Sequence, residues 1–291
     1  MSKLWRAGDF TTPTQIFTAR PIRQIPAHAE KAGGGSVKME KTTVKIFSKP
    51  KLKAPILIEG LPGMGYVGKL AAEHLLEELH AKKFAELCSP YFPHHVVVEE
   101  NGTLRPLRNE FYWARAGGKE VIILVGDVQP IASEGHYEVV KSILDVAEKF
   151  KVKQLFTLGG YATGNYSKVK PRVVGVGDSA LLKEFRKHGI EVEEGGGPII
   201  GAAGLLLGLG RLRGMRGACL LGETHGMMVD NRAAQAVLEV LIGVLGIKVD
   251  MSALERRAKE TERMLDQIRK EMDLRTHKER RREEEEAWYI G

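Results

Sequence analysis

Three short runs limit the architecture of this chain more than any other feature: VIILVG at 121–126, QLFTLGG at 154–160 and ACLLGE at 218–223. Each is apolar at consecutive positions instead of alternate ones. Neither face of such a strand can be left to water, so each belongs inside a parallel sheet covered by helices on both sides. Further strand-like runs fall at 56–59, 84–88, 96–99, 111–114, 172–176 and 191–193. Helix-period runs fall at 67–80, 135–150, 180–188, 198–209 and 231–245. Strands alternating with helices predict a three-layer α/β sandwich with a mostly parallel central sheet. Residues 84–116 break the alternation. They hold strands without helices, and Asn101-Gly102 is a strong hairpin signal. An antiparallel excursion at one sheet edge is expected there.

The α/β domain is expected over 39–250. Residues 1–38 lack a sustained apolar period and run through Pro13, Pro21 and Pro26 into Gly33-Gly34-Gly35-Ser36. They read as a flexible basic arm, or as an extension upstream of a natural start at Met39, which the strand-like VKIF follows closely. Intact mass of the native protein distinguishes the two. Beyond Asp250, Leu254, Ala258, Thr261, Leu265, Ile268, Met272 and Arg275 keep 4,3 spacing. That predicts a helix over 251–275, packed on its own domain or paired between subunits. Residues 276–291 follow as a spacer containing Arg280-Arg281-Arg282 and four glutamates, then Ala287-Trp288-Tyr289-Ile290-Gly291.

The formal net charge of +7 invites a nucleic-acid reading, but its distribution opposes one. Residues 1–53 carry 11 Lys/Arg against 3 Asp/Glu, and 251–291 carry 11 against 11. The body between is almost neutral, whereas a folded nucleic-acid reader carries basicity on its folded face. No apolar run reaches the roughly 18 residues of a membrane span, and the first 30 residues lack the apolar core of a secretory signal. Two distant cysteines, Cys88 and Cys219, fit reduced thiols and a cytoplasmic location.

The turn GLPGMGYVGKL at 60–70 can be read as nucleotide chemistry in two ways. Gly63, Gly68 and Lys69 spell a phosphate-loop pattern, but Leu70 stands where a Ser or Thr must hold magnesium. Gly63, Gly65 and Gly68 spell a dinucleotide fingerprint, but Glu86 lies inside its strand instead of at the end. The simpler reading needs only backbone geometry: a tight turn and close helix-to-strand packing. A helix start beneath such a turn can still attract an anion. Asp127, Glu223 and His225 also fall beside glycines at strand ends, where open α/β sheets bind ligands. With Gly63, Gly65 and Gly68 they make a candidate ligand rim. The alternative has Asp127 and Asp178 capping the helices after them, and Glu223 and His225 satisfying buried backbone groups. No nucleophile signature accompanies them, and the nine histidines show no metal spacing. No catalytic residue, metal or cofactor is therefore assigned; the competing enzyme reading places a nucleoside- or nucleotide-like ligand at this rim.

The carboxyl terminus offers a sharper candidate. A charged spacer that delivers Trp288, Tyr289, Ile290 and the Gly291 carboxylate suits docking of a tail into a partner's pocket.

GLPGMGYVGKLAAEHL at 60–75, LFTLGGYATG at 155–164, GGGPIIGAAGLLLGLG at 195–210 and LLGETHG at 220–226, followed by Asp230 and Ala233-Ala234, together resemble the archaeal homologues of the proteasome assembly chaperones. The likeness runs over roughly 39–250 and is strongest to the homologue B type. It implies a three-layer phosphorylase/hydrolase-like domain without established catalysis. It also implies a homo-oligomer, a tetramer, and docking on the α-subunits of the 20S proteasome as a chaperone or ATP-independent activator. Proteins that dock there end in a hydrophobic residue, Tyr and any residue. Trp288-Tyr289-Ile290 has that order, but Gly291 displaces the carboxylate by one residue.

Overall fold

The computed structural model describes residues 40–164, 169–193, 195–264, 266, 267 and 270. In chain order the elements are β1 (Thr43–Ile46), β2 (Ile56–Gly60), α1 (Val67–Glu78), β3 (Lys82–Cys88), β4 (Val96–Val98), β5 (Leu104–Pro106), β6 (Asn109–Ala116), β7 (Lys119–Gly126) and α2 (Ser133–Lys149). They continue with β8 (Gln154–Ala162), β9 (Val173–Gly177), α3 (Ser179–Arg186), β10 (Glu191–Val192), α4 (Ala202–Leu212), β11 (Arg216–Thr224) and α5 (Asn231–Leu245). Nine strands form one sheet in the order β1-β3-β6-β7-β2-β8-β11-β9-β10. The four central strands β7, β2, β8 and β11 are mutually parallel, and they contain the three doubly apolar runs. α1, α3 and α5 cover one face around Val67, Leu75, Phe185 and Val237. α2 and α4 cover the other around Leu124, Val140, Leu144 and Leu206. The α/β sandwich is thus the observed fold, with a central sheet that is parallel in its middle and mixed at its flanks.

The excursion at 84–116 is antiparallel, as the missing helices imply. β3, β6 and β7 run alternately up and down, while β4 and β5 form a separate hairpin. Its turn passes through Gly102 at φ +79°, a left-handed conformation that glycine adopts at little cost. On the opposite flank the sequence reading misses a reversal. β9 pairs antiparallel with β11. A parallel return needs a crossover of a dozen or more residues, usually a helix. The link from Ala162 to Val173 has no described helix, so β9 returns in the opposite sense. A second correction concerns the helix expected at 198–209. α4 starts only at Ala202, because Gly201 sits at φ +91°, outside helical space.

The segment after Asp250 is helical over 252–264. Leu254 and Ala258 are buried, and the Asn231 side-chain amide donates to Thr261 Oγ1 at 3.0 Å. The buried His74 donates from Nε2 to the Asp250 carbonyl at 2.7 Å. The first part of the heptad seam therefore lies against α1 and α5 of the same chain. Leu265, Ile268, Met272 and Arg275 lie outside the described residues.

Candidate functional site

The glycine turn after β2 is built from close approaches of backbone. A Cβ on Gly68 would sit 2.0 Å from the Leu158 carbonyl oxygen, and one on Gly60 would sit 2.3 Å from the Gly68 carbonyl. α1 therefore crosses β2 and β8 with no room for side chains between them. Met64–Tyr66 form one tight 3-10 turn, with Gly65 at φ 61° and Tyr66 at φ 55°. The turn is closed from outside by the Asp230 amide, which donates to the Gly65 carbonyl at 2.9 Å. Asp230 in turn accepts from Thr224 Oγ1 and caps α5 through the amides of Arg232 and Ala233.

Lys69, the residue a phosphate loop would aim at its anion, is engaged elsewhere. Its Nζ donates to the Gly126 carbonyl at 2.8 Å and pairs with Glu73 at 2.6 Å. Gly63 leaves its Cβ direction nearly open, with only Gln129 nearby. The Gln129 side chain donates to the Pro62 carbonyl at 2.7 Å and accepts from the Ala202 amide at 2.8 Å. It ties the glycine turn to the start of α4.

The three polar residues expected at the rim do not converge. Asp127 follows β7 and Glu223 ends β11, with β2 and β8 between them. Three strand spacings amount to about 14 Å, too far for one acid/base group. Asp127 holds Arg105 with both oxygens, at 2.6 and 3.0 Å, and accepts from the Arg108 amide at 3.0 Å. Burial pushes its pKa up, but Arg105 and the Arg108 amide outweigh that and hold it below the usual aspartate range. Arg105 also pairs with Glu99. Asp127 thus moors the β4–β5 hairpin to the sheet. It does not cap α2, which is preceded by Ala132. Asp178 does cap α3, accepting from the Ala180 and Leu181 amides. Glu223 pairs with Arg172 Nε at 2.9 Å, and that hydrogen bond lowers its pKa. Arg172 also reaches Glu191, so this pair fastens β11 to the β9–β10 edge. His225 is half-buried in the loop after β11.

A polar row inside the sheet was not anticipated. Glu59 pairs in register with Thr157, and Thr157 with Cys219, across β2, β8 and β11. All three are buried. Glu59 Oε1 accepts from the Leu61 amide at 3.0 Å, while Oε2 and Thr157 Oγ1 have no hydrogen-bond partner. Burial pushes the Glu59 carboxyl up to about 8 and the Cys219 thiol up to about 12. The signal was legible as an acid inside the apolar run ILIEG. Its neighbours were not, because register decides them.

Among the described residues, no group of three or more His, Cys, Asp or Glu is placed to hold a metal ion. Trp288, Tyr289, Ile290 and Gly291 lie outside the described residues.

The architecture has known counterparts. The profile of the PAC2 family matches residues 57–269. The crystal structure of Pyrococcus furiosus PbaB, an archaeal proteasome activator, aligns with a TM-score of 0.75 and 43% identity, covering 79% of this chain and 100% of that one. Pyrococcus furiosus PbaA, an archaeal homolog of proteasome-assembly chaperone, aligns with a TM-score of 0.64 and 30% identity over 80% of this chain and 98% of that one. An uncharacterised protein of Methanocaldococcus jannaschii is 38% identical over 252 residues, 86% of this chain and 97% of that protein.

Proposed function

The chain belongs to the PAC2 family, and from that premise we propose that it is a proteasome-binding chaperone or ATP-independent activator that docks its C-terminal tails on the α-ring of the 20S core particle. The observation that carries this reading is the 43% identity to PbaB, an archaeal proteasome activator, over the whole of that chain. The rim geometry agrees with it. Lys69, Asp127 and Glu223 are each engaged in fastening one part of the scaffold to another. An enzyme that used them would have to give up these pairs.

In this reading the protein is a cytoplasmic homo-oligomer. Each subunit contributes Trp288, Tyr289 and Ile290 as an apolar hook, with the Gly291 carboxylate beyond it. One such hook binds weakly. Several on one oligomer, facing a ring of repeated pockets, gain about 10²–10⁴ in avidity from effective concentration. Binding energy spent in this way biases a gate or an assembly intermediate without nucleotide hydrolysis. The helix at 252–264 is held on the domain by the buried Leu254 and by the Asn231–Thr261 hydrogen bond.

The test is co-sedimentation with 20S particles of the full chain and of a chain lacking residues 288–291. Loss of binding with an unchanged circular dichroism spectrum is the expected result. Equal binding by both chains rules out the tail as the docking element.

A further inference from the structure

The end of the sheet where its parallel strands begin gathers cations. Ile56 stands opposite Val121 and Gln154, and Arg216 opposite Gln154. Lys119, Lys53, Lys153 and Arg216 therefore stand within three residues of one level, at the starts of the adjacent strands β7, β2, β8 and β11. The Arg216 amide donates to the Lys153 carbonyl at 3.0 Å. Three strand spacings make this row about 14 Å long. Helix ends add to it. Lys149 closes α2 and Lys151 follows it, while Arg211 lies in the last turn of α4. Arg213, just past α4, reaches Asp145 and Glu148 of α2 at 2.7 and 3.2 Å, which joins the two helix ends.

The four residues of the row, with Lys149, Lys151 and Arg211, are exposed, and among the described residues none of their charged groups is in an ion pair. The acids nearby are already engaged. Glu120 pairs with Arg115 at 3.0 Å and accepts from the Lys53 amide. Asp145 and Glu148 share Arg213, and Asp178 caps α3. Glu77, Glu78 and Asp250 lie on the α1–α5 face. The row and the α2–α4 side are thus left with cations in excess. Attraction to a helix C-terminus accounts for Lys149 and Arg211. It gives no reason for four cations at strand starts. The near-neutral sum of the body conceals a basic folded face of the kind a nucleic-acid reader carries.

The composition of this face selects the partner. Protein interfaces are built on buried aromatic and apolar anchors and are depleted of lysine. Here five of the seven free cations are lysines, and the apolar side chain exposed among them is Leu212. Interfaces with nucleic acid are polar and strongly positive. About 14 Å of duplex axis carries roughly eight phosphate charges, close to the number of cations gathered here. Lysine is a hydrated point charge on a flexible stem, suited to phosphate and unable to read a base edge with a fixed fork. We propose that this end of the sheet binds the phosphate backbone of duplex nucleic acid without reading its sequence. The inference does not depend on tail docking, since none of its residues belongs to the tail.

The experiment is fluorescence anisotropy of DNA duplexes of about 20 base pairs, in two unrelated sequences, from about 50 to 200 mM salt. The full chain is compared as wild type, Lys53→Gln/Lys119→Gln, Lys153→Gln/Arg216→Gln and a control, Arg256→Gln/Lys259→Gln, on the helix at 252–264. The basic arm at 1–53 loses only Lys53 in one pair and nothing in the other, so the second pair isolates the folded face. Wild type is expected to bind both sequences alike. Each pair on the face should weaken binding at least about tenfold at low salt and lower the salt slope by about 2. The control should match wild type. All substituted side chains are exposed, so circular dichroism should not change, and one folded pair suffices. No binding by wild type, unchanged slopes in the face pairs or an equal loss in the control overturns the proposal. A preference above tenfold for one sequence does so too. Tighter binding of a poly-glutamate peptide or of phosphatidylserine vesicles at the same salt would give the face to an acidic protein or a membrane instead.

Discussion

The parallel centre of the sheet and its antiparallel flank solve the same burial problem differently. In β7, β2, β8 and β11 both faces are covered, so side chains of either parity must be apolar and helices must come close. In β3 and β6 one face packs Phe84 and Phe111 beneath α2, with Phe150 edge-on to Phe84 at 4.8 Å between centroids. The other face carries Lys83, Glu86, Arg108, Glu110 and Tyr112 as one hydrogen-bonded and ionic network. The centre therefore depends on the absence of side chains at a few glycines and on keeping its buried acid, Glu59, neutral. The flank depends on keeping its acids charged. Geometry and pH should separate the two regions, in opposite directions.

The largest effect is expected at the centre. Gly68→Val places carbon where the Leu158 carbonyl now lies, 2.0 Å from the Cβ position. Backbone on both sides has nowhere to move, so denaturant unfolding should show a loss of ~4 kcal/mol or no folded protein. A stable variant would mean that α1 can lift off the sheet.

Next comes the buried acid. The folded pKa of Glu59 is raised to about 8 from 4.5, so its contribution to stability is complete below the unfolded value and is lost as pH rises through the folded one. Between pH 5 and pH 8 the wild type should lose about 1.4 kcal/mol per unit relative to Glu59→Gln, measured as the divergence of their unfolding midpoints. Parallel curves would show that Glu59 gains a partner or reaches water.

The flank should give the smallest effect, with reversed sign. Burial raises the Glu110 pKa, but Lys83 and Arg108 bring it below the usual value. Its contribution is present above the unfolded pKa and is lost as pH falls. Glu110→Gln should cost about 1 kcal/mol at neutral pH, with the difference vanishing in acid. A larger cost would mean that the charged face is as tightly determined as the core.

The contrast also explains what could be read in the chain alone. Strands 121–125 and 154–158 announce themselves by uninterrupted apolar runs, and the hairpin at Asn101-Gly102 by its turn. Those signals are local. The antiparallel entry of β9 was hidden because it follows from a link between β8 and β9 in which the described residues hold no crossover helix. Among the rim residues, the close approach of Gly68 was foreseen because glycine at a strand–helix turn has few other uses. The partners of Asp127 and Glu223 were not, because Arg105 and Arg172 reach them across the fold.

The sequence by itself determined the α/β layering, the place of the glycine turn and the neutrality of the domain's body, because periodicity, backbone freedom and charge balance are properties of neighbouring residues. Only the tertiary structure decided that Asp127 is held by Arg105 and Glu223 by Arg172, and that Glu59, Thr157 and Cys219 share one row. Those arrangements depend on strand order and register, which bring together residues the chain itself keeps far apart.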